Sequence, residues 1–374
     1  MGVEFRNGIF LGNYTTMGMG GEARFFVEVR DEDDVDDVRV FLSEHDYPCA
    51  VLGGGSNLVI GDEGFGGVIL HPVNSGIREL ERDEDGVIVE ADAGCCWDDL
   101  CLWAVERDLG GIERMSGIPG SCGGAVVQNV GAYGEELREV FLEADVIDWR
   151  SGVRSVFDSA RMGFSYRHST LKDPVHQFVV MRIRLRLPFF DSAQCVASCM
   201  KHGFQSAVAT VPEDSVSMRD SILGIRSSKG MVYRVDDVNS HGVGSFFTNP
   251  IVSKDDAARL TSHAIWRGHQ RMPCFPVEGG MKLSAAWLIE KSGLQRGYRQ
   301  GRVGLSGKHS LAIVNYGGGS ADEVMQFAKF VFGQVKEAFG VELEPEALFL
   351  GVDGLERMSL TLSLWGAKKR SYWR

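Results

Sequence analysis

Arg114–Leu137 reads RMSGIPGSCGGAVVQNVGAYGEEL, and the rest of the chain is best read outward from it. It holds six glycines (117, 120, 123, 124, 131, 134) and Pro119, with no charged residue between Met115 and Gly134. A solvent-facing loop would carry more charge, and a plain core helix would not tolerate so many glycines. Such a run lets backbone N–H groups approach a flat or anionic ligand. Its polar residues are few and short: Ser116, Ser121, Gln128, Asn129 and Tyr133. That composition suits a turn entering a short helix, with phosphate or ring edges met by main-chain donors. A tightly packed structural turn is the competing reading.

A second glycine cluster lies upstream. Pro48–Ile60 (PCAVLGGGSNLVI) is a short apolar strand, then Gly53, Gly54, Gly55, Ser56 and Asn57, then apolar residues again. Leu58 stands where a dinucleotide-binding G-x-G-x-x-G needs its third glycine. No helical pattern follows at once, as a mononucleotide-binding βαβ unit requires. No G-x-x-x-x-G-K-[ST] occurs. The spacing points to a phosphate cradle of strand–loop–strand type.

Together, LGGGSNLVIGDEGFGGVIL (Leu52–Leu70) and SGIPGSCGGAVVQNVGAYGEE (Ser116–Glu136) closely resemble the UDP-N-acetylenolpyruvoylglucosamine reductase family, flavoenzymes of bacterial cell-wall precursor synthesis. SYRHSTLK (Ser165–Lys172), GSFFTNP (Gly244–Pro250), KLSAAWLIEKSGL (Lys282–Leu294) and LEPEALFLG (Leu343–Gly351) continue the resemblance in order. The resemblance implies noncovalent FAD, NADPH as hydride donor, and reduction of a UDP-sugar enolpyruvyl ether to a lactyl ether. The implied fold is α+β. A two-subdomain FAD-binding unit of the vanillyl-alcohol-oxidase (PCMH-like) type would span 11–187, with a connection at 188–214. A smaller α/β substrate-binding domain would span 215–351, leaving 352–374 as a tail.

The implied reaction passes hydride from reduced flavin to the terminal methylene carbon of the enol ether. Charge then builds beside a carboxylate, so a fixed cation and a proton donor are needed. By resemblance, Ser245 matches the family's proton donor and Glu346 the carboxylate that orients or assists it. An isolated serine is a poor acid, so it must be held by a charged neighbour or a network. Arg167 matches the arginine that stabilises the enolate, a planar fork suited to a carboxylate. Arg226, Lys229 and Asn249 resemble substrate contacts. Cofactor contacts are expected from Gly53, Gly54, Gly55, Ser56, Asn57 and Leu58, and from Ile118, Pro119, Gly120, Ser121, Gly123, Gly124, Gln128, Asn129, Gly131, Ala132 and Tyr133. The family's tyrosine over the sugar nucleotide has no counterpart in Gln194–Val208, and Leu348 stands where some members carry arginine.

Two other readings stay open. A related FAD-linked oxidase of a sugar or hydroxy acid would not need the Arg167, Ser245 and Glu346 set, and often tethers flavin through His or Cys. A nucleotide-sugar-binding relative without catalysis would not need an intact acid and arginine.

Composition narrows the classes further. The 374 residues suggest two or three domains, and 44% apolar content is ample for buried cores. A net charge of −12 without a basic stripe argues against nucleic-acid binding. No run of 18 apolar residues and no basic-then-apolar N-terminus occurs, so the chain reads as a soluble, unexported, cytoplasmic protein with no membrane partner. Its eight cysteines form no C-x-x-C pair or zinc spacing, so they read as reduced thiols, mostly buried, and no metal is expected.

Periodicity predicts helices over Asp33–Glu44, Trp97–Val105, from Val216, and over Lys282–Lys291. A long helix capped by Ser320 and Glu323 is expected to end at Gly340. Ala23–Arg30, Pro48–Leu52, Val87–Ala91 and Phe141–Asp148 read as strands. Met181–Leu187 alternates and predicts a half-buried strand with a solvated arginine face. Pro188–Pro212 reads as a connection and Met272–Gly280 as a loop.

Overall fold

The computed structural model describes residues 2–173, 177–201, 211–266 and 272–357. Glu22–Val29 runs parallel to Phe65–Pro72, which runs parallel to Cys49–Val51, with Ile9–Phe10 antiparallel at the far edge. Parallel strands need a crossover, supplied between the first and third of these by the helix Glu32–Glu44. Asp31 starts that helix, its carboxylate accepting the Asp34 N–H in a reciprocal capping box.

The second sheet has five antiparallel strands, in the order Arg154–Asp158, Phe141–Asp148, Phe178–Pro188, Gly86–Asp92, Ile77–Arg82. One face packs Val89, Ile183 and Leu185 against the helices Trp97–Val105 and Cys122–Gln128. The organising stretch is thereby seated on a rigid sheet. The other face of Phe178–Pro188 corrects the expectation of solvated arginines. Register sets Arg184 opposite Glu90 and Glu143, and Arg182 opposite Asp92 and Asp145. Arg184 pairs with Glu90, Glu143 and Asp145 at 2.6–2.9 Å, and Arg186 with Asp83. Cross-strand neighbours of opposite charge turn that face into an ion-pair ladder.

A third core gathers Phe246, Phe247, Phe327, Val331 and Ile313 beneath the helix Ala321–Phe339. Ser320 and Glu323 form the expected capping box, and Gly340 closes the helix at φ +67°. The chain then returns. Leu348–Gly351 lies parallel to Leu58–Ile60, the strand that leaves the first glycine loop.

Several local expectations change. Within 188–214 the chain forms a helix, Ser192–Lys201, which packs Cys195 and Cys199 against Tyr133, Met218 and Ile222; 202–210 lies outside the described residues. Cys274–Val277 and Gly280–Leu283 form a hairpin where a loop was expected, because Gly279 and Gly280 take positive φ and turn the strand back. Lys282 therefore belongs to a strand, and the following helix begins at Ala285, capped by Ser284. Beyond Asp353, Gly354–Arg357 pairs back on Leu348–Gly351, and 358–374 lies outside the described residues.

Candidate active site

The two glycine loops touch each other. A Cβ on Gly54 would lie 2.6 Å from the Gly120 Cα, and one on Gly53 would lie 2.7 Å from the Ser121 Oγ. Gly55 has φ +58°, and its Cβ would strike the Tyr14 carbonyl at 1.9 Å. These glycines are needed first so that backbone can pack on backbone, a role ahead of any contact with a ligand. Ser56 Oγ–H locks the contact by donating to the Pro119 carbonyl at 2.8 Å.

The joined loops line one side of a cleft of about 1360 Å³. Among the described residues, no acceptor meets the backbone N–H groups of Gly53, Gly54, Gly55, Ser56, Asn57, Gly120 or Ser121. Unpaired donors on two adjoining loops fit the diphosphate of a dinucleotide cofactor such as FAD. The walls extend to Trp149, Arg150 and Phe178 at the sheet and to Arg226, Ser245 and Glu346 beyond the loops. Asn129, Ala132 and Tyr133 are not among the wall residues. Asn129 caps the helix Cys122–Gln128 in the left-handed conformation and donates to the Ser165 carbonyl at 2.9 Å.

The residues expected to act on substrate converge at one place. Ser165 and His168 exchange backbone hydrogen bonds of 3.0 and 3.1 Å, leaving Tyr166 and Arg167 at the tip of a two-residue turn. Arg167 has φ +56°, a conformation costing a non-glycine residue about 1–2 kcal/mol. Its Nε lies 3.3 Å from Glu346 Oε1, and the other arm of the fork donates to the Gly131 carbonyl. Gln128 Nε2 donates to the same Glu346 oxygen at 2.8 Å.

Ser245 is tied to Glu346 through the main chain. The Glu346 N–H donates to the Phe246 carbonyl at 2.9 Å, and the Thr248 N–H to the Glu344 carbonyl at 2.9 Å. Gly244, at φ +71°, supplies the turn, and the buried rings of Phe246 and Phe247 anchor it. Among the described residues no group bonds to the Ser245 hydroxyl, which lines the cleft. The charged neighbour or network expected for it therefore makes no direct hydrogen bond to the hydroxyl among the described residues.

Arg226 and Lys229 add cationic charge near this point. Arg226 lines the cleft and donates to the carbonyls of Gly117 and Met231 at 3.3 and 2.7 Å, and its Nε has no partner among the described residues. Burial draws its pKa below the ordinary arginine value. Burial, then the charges of Arg226 and Arg296, lower Lys229, whose Nζ sits 5.6 Å from the Tyr133 ring centroid rather than in the cleft wall. His309 is pushed down to about 4 by burial, then by Lys229 and Arg296. Asn249 lines the cleft, and its Oδ1 accepts the Ala285 N–H at 3.0 Å. Among the described residues no carboxylate hydrogen-bonds to Arg226, though Asp98 acts on its charge, so the guanidinium can meet an anionic substrate.

Sequence reasoning missed Tyr166 and Lys172 although both stand inside SYRHSTLK, and missed Trp149, Arg150 and Phe178 altogether. A half-buried, cleft-lining tyrosine beside an arginine had a signal in that motif. The sheet residues had none.

Comparison with known proteins agrees with this geometry. The family model described as the FAD binding domain matches residues 23–156, and the UDP-N-acetylenolpyruvoylglucosamine reductase C-terminal domain matches residues 236–350. The UDP-N-acetylenolpyruvoylglucosamine reductase of Thermobifida fusca is 36% identical over 363 residues, covering 94% of this chain and 99% of that protein. Its namesake from Corynebacterium diphtheriae is 39% identical over 343 residues, covering 90% and 88%. The crystal structure of the enzyme of that name from Thermus caldophilus shares the fold, with a TM-score of 0.61 at 23% identity over 93% of this chain and 99% of that one. With full-length relatives at this identity, and both halves matched in order, the chain belongs to the UDP-N-acetylenolpyruvoylglucosamine reductase family.

Proposed function

We propose that this protein reduces UDP-N-acetylglucosamine enolpyruvate to UDP-N-acetylmuramate, using FAD and NADPH, in the cytoplasmic synthesis of peptidoglycan precursors. The observation that carries this reading is the Arg167–Glu346 contact of 3.3 Å, beside Ser245 and opening onto the same cleft as the glycine loops. Bound FAD would accept hydride from NADPH and deliver it to the enolpyruvyl methylene carbon.

The chain's own residues do the rest. Gly53–Asn57 and Gly120–Ser121 offer N–H donors to the cofactor's diphosphate. Arg167 holds the substrate carboxylate and stabilises negative charge as it spreads onto those oxygens. Ser245 Oγ–H delivers a proton to the carbon next to that carboxylate. Glu346, fixed by Arg167 and Gln128, orients the guanidinium and the proton path. Arg226 and Lys229 attract the UDP diphosphate, and Asn249 positions the sugar nucleotide. In this reading 11–187 binds FAD and 215–351 binds substrate, with the return strand closing the cleft between them. The cleft wall favours noncovalent FAD: among its residues are no histidine and one cysteine, Cys49, whose thiol burial keeps protonated.

Anaerobic titration tests the proposal. The purified yellow protein should bleach with NADPH and regain colour on addition of the enolpyruvyl ether, with a product two mass units heavier. Recolouring only with oxygen, and none with the ether, would replace this reading by that of an oxidase.

A further inference from the structure

Lys172 belongs to none of the roles above. It ends the short turn Thr170–Lys172, and its ammonium donates to two backbone carbonyls, Arg167 O at 3.0 Å and Glu346 O at 3.1 Å. One carbonyl belongs to the strained turn of the arginine and the other to the returning C-terminal segment. Asn57, from the first glycine loop, donates to the same Glu346 carbonyl at 3.4 Å. The Arg167 and Glu346 side chains meet at 3.3 Å, and their main chains converge on one ammonium.

We infer that Lys172 is a positioning residue: it sets the separation and orientation of Arg167 and Glu346 by binding both of their carbonyls. This rests on the proposed reduction of the enolpyruvyl ether. A carbonyl held by an ammonium fixes the peptide plane, and the peptide plane fixes the direction in which the neighbouring Cα–Cβ bond leaves the chain. Arg167 lies in the left-handed region, where a non-glycine residue stays only when its surroundings hold it there. Lys172 is one such restraint, and it acts on the partner carboxylate at the same time. A structural staple between two parts of the chain would need a cation near any two carbonyls. Here the two belong to the pair that must be aligned for charge stabilisation.

The test uses the full-length flavoprotein with Lys172→Met and Lys172→Arg. Lys172→Met should slow flavin reoxidation by the enolpyruvyl ether about 100-fold, the scale of a misplacement near 1 Å. Bleaching by NADPH and retention of flavin should stay at the wild-type level. Lys172→Arg, which can still donate to two carbonyls, should recover most of the loss. Combined with Arg167→Lys, Lys172→Met should add little further slowing, because both changes damage one arrangement. A crystal structure of Lys172→Met should show the Arg167–Glu346 contact broken. Unchanged reoxidation, equal slowing of both half-reactions with flavin loss, or full additivity would each overturn the inference. Should the wild type fail to reduce the ether, the functional reading falls and the crystal structure still decides: a retained contact overturns the positioning role, and a broken one supports it.

Discussion

Leu348 runs parallel to Leu58, and the Leu348 N–H donates to the Asn57 carbonyl at 3.1 Å. The pairing sets Glu346, two residues upstream, against the first glycine loop and within 3.3 Å of Arg167. A strand near the chain's end thus completes a site begun near its start.

Arg167→Lys is predicted to slow reoxidation of the flavin by the ether about 10²–10³-fold, the usual loss for one oriented donor. A lysine cannot reach Gly131 O and Glu346 with one planar fork. Reduction by NADPH should be unaffected. Stopped-flow absorbance separates the steps, and equal slowing of both would assign the arginine a structural role.

Ser245→Ala is predicted to cost roughly 10²–10⁴ in the same half-reaction, the range for a general acid. Ser245→Cys keeps a proton at that position and should restore part of the rate. Normal reoxidation of the alanine variant would remove Ser245 as donor.

Flavin should leave the protein completely on acid precipitation, because Cys49 is the one thiol among the wall residues and is held protonated. Colour retained in the pellet would point to a covalent tether and to oxidase chemistry.

Gly54→Ala is predicted to lower flavin affinity more than it lowers the melting temperature of the apoprotein. The added methyl would meet the Gly120 backbone at 2.6 Å and part the two loops. Fluorescence titration of apoprotein with FAD measures the change, and an unaltered dissociation constant would contradict the loop-contact account.

His309 makes acid stability testable. Its folded pKa, about 4, lies below the ordinary value of 6.5, so the unfolded chain binds more protons between them. The neutral imidazole therefore contributes stability that is fully present above about pH 6.5 and lost as pH falls towards 4. His309→Asn should remove on the order of 2 kcal/mol of that pH dependence. Urea midpoints at pH 7 and pH 5 measure it; the same pH dependence in both proteins would contradict a half-buried neutral histidine.

Much of the fold is legible in residues close together along the chain. Trp97–Val105 forms the helix its spacing predicts, and Ser320, Glu323 and Gly340 bound the long helix as expected. Each depends on contacts within about one helical turn, which local sequence specifies.

The motifs also identify residues that meet in the cleft, but not how they meet. The arginines of Met181–Leu187 look solvated until the strands on both sides bring Glu90 and Asp145 into register with them. Lys172 looks like an ordinary basic residue until Glu346 arrives from the far end of the chain. Sequence alone determined the glycine loops, the capped helices, the family, and three residues, Arg167, Ser245 and Glu346, that line one cleft. Tertiary structure alone decided that the loops pack on each other, that Leu348 pairs with Leu58, and that one ammonium holds both Arg167 and Glu346. The division has a physical cause. Caps and turns are stabilised by neighbours a few residues away, whereas these contacts close loops of up to several hundred residues and exist only once the whole core has paid that entropy.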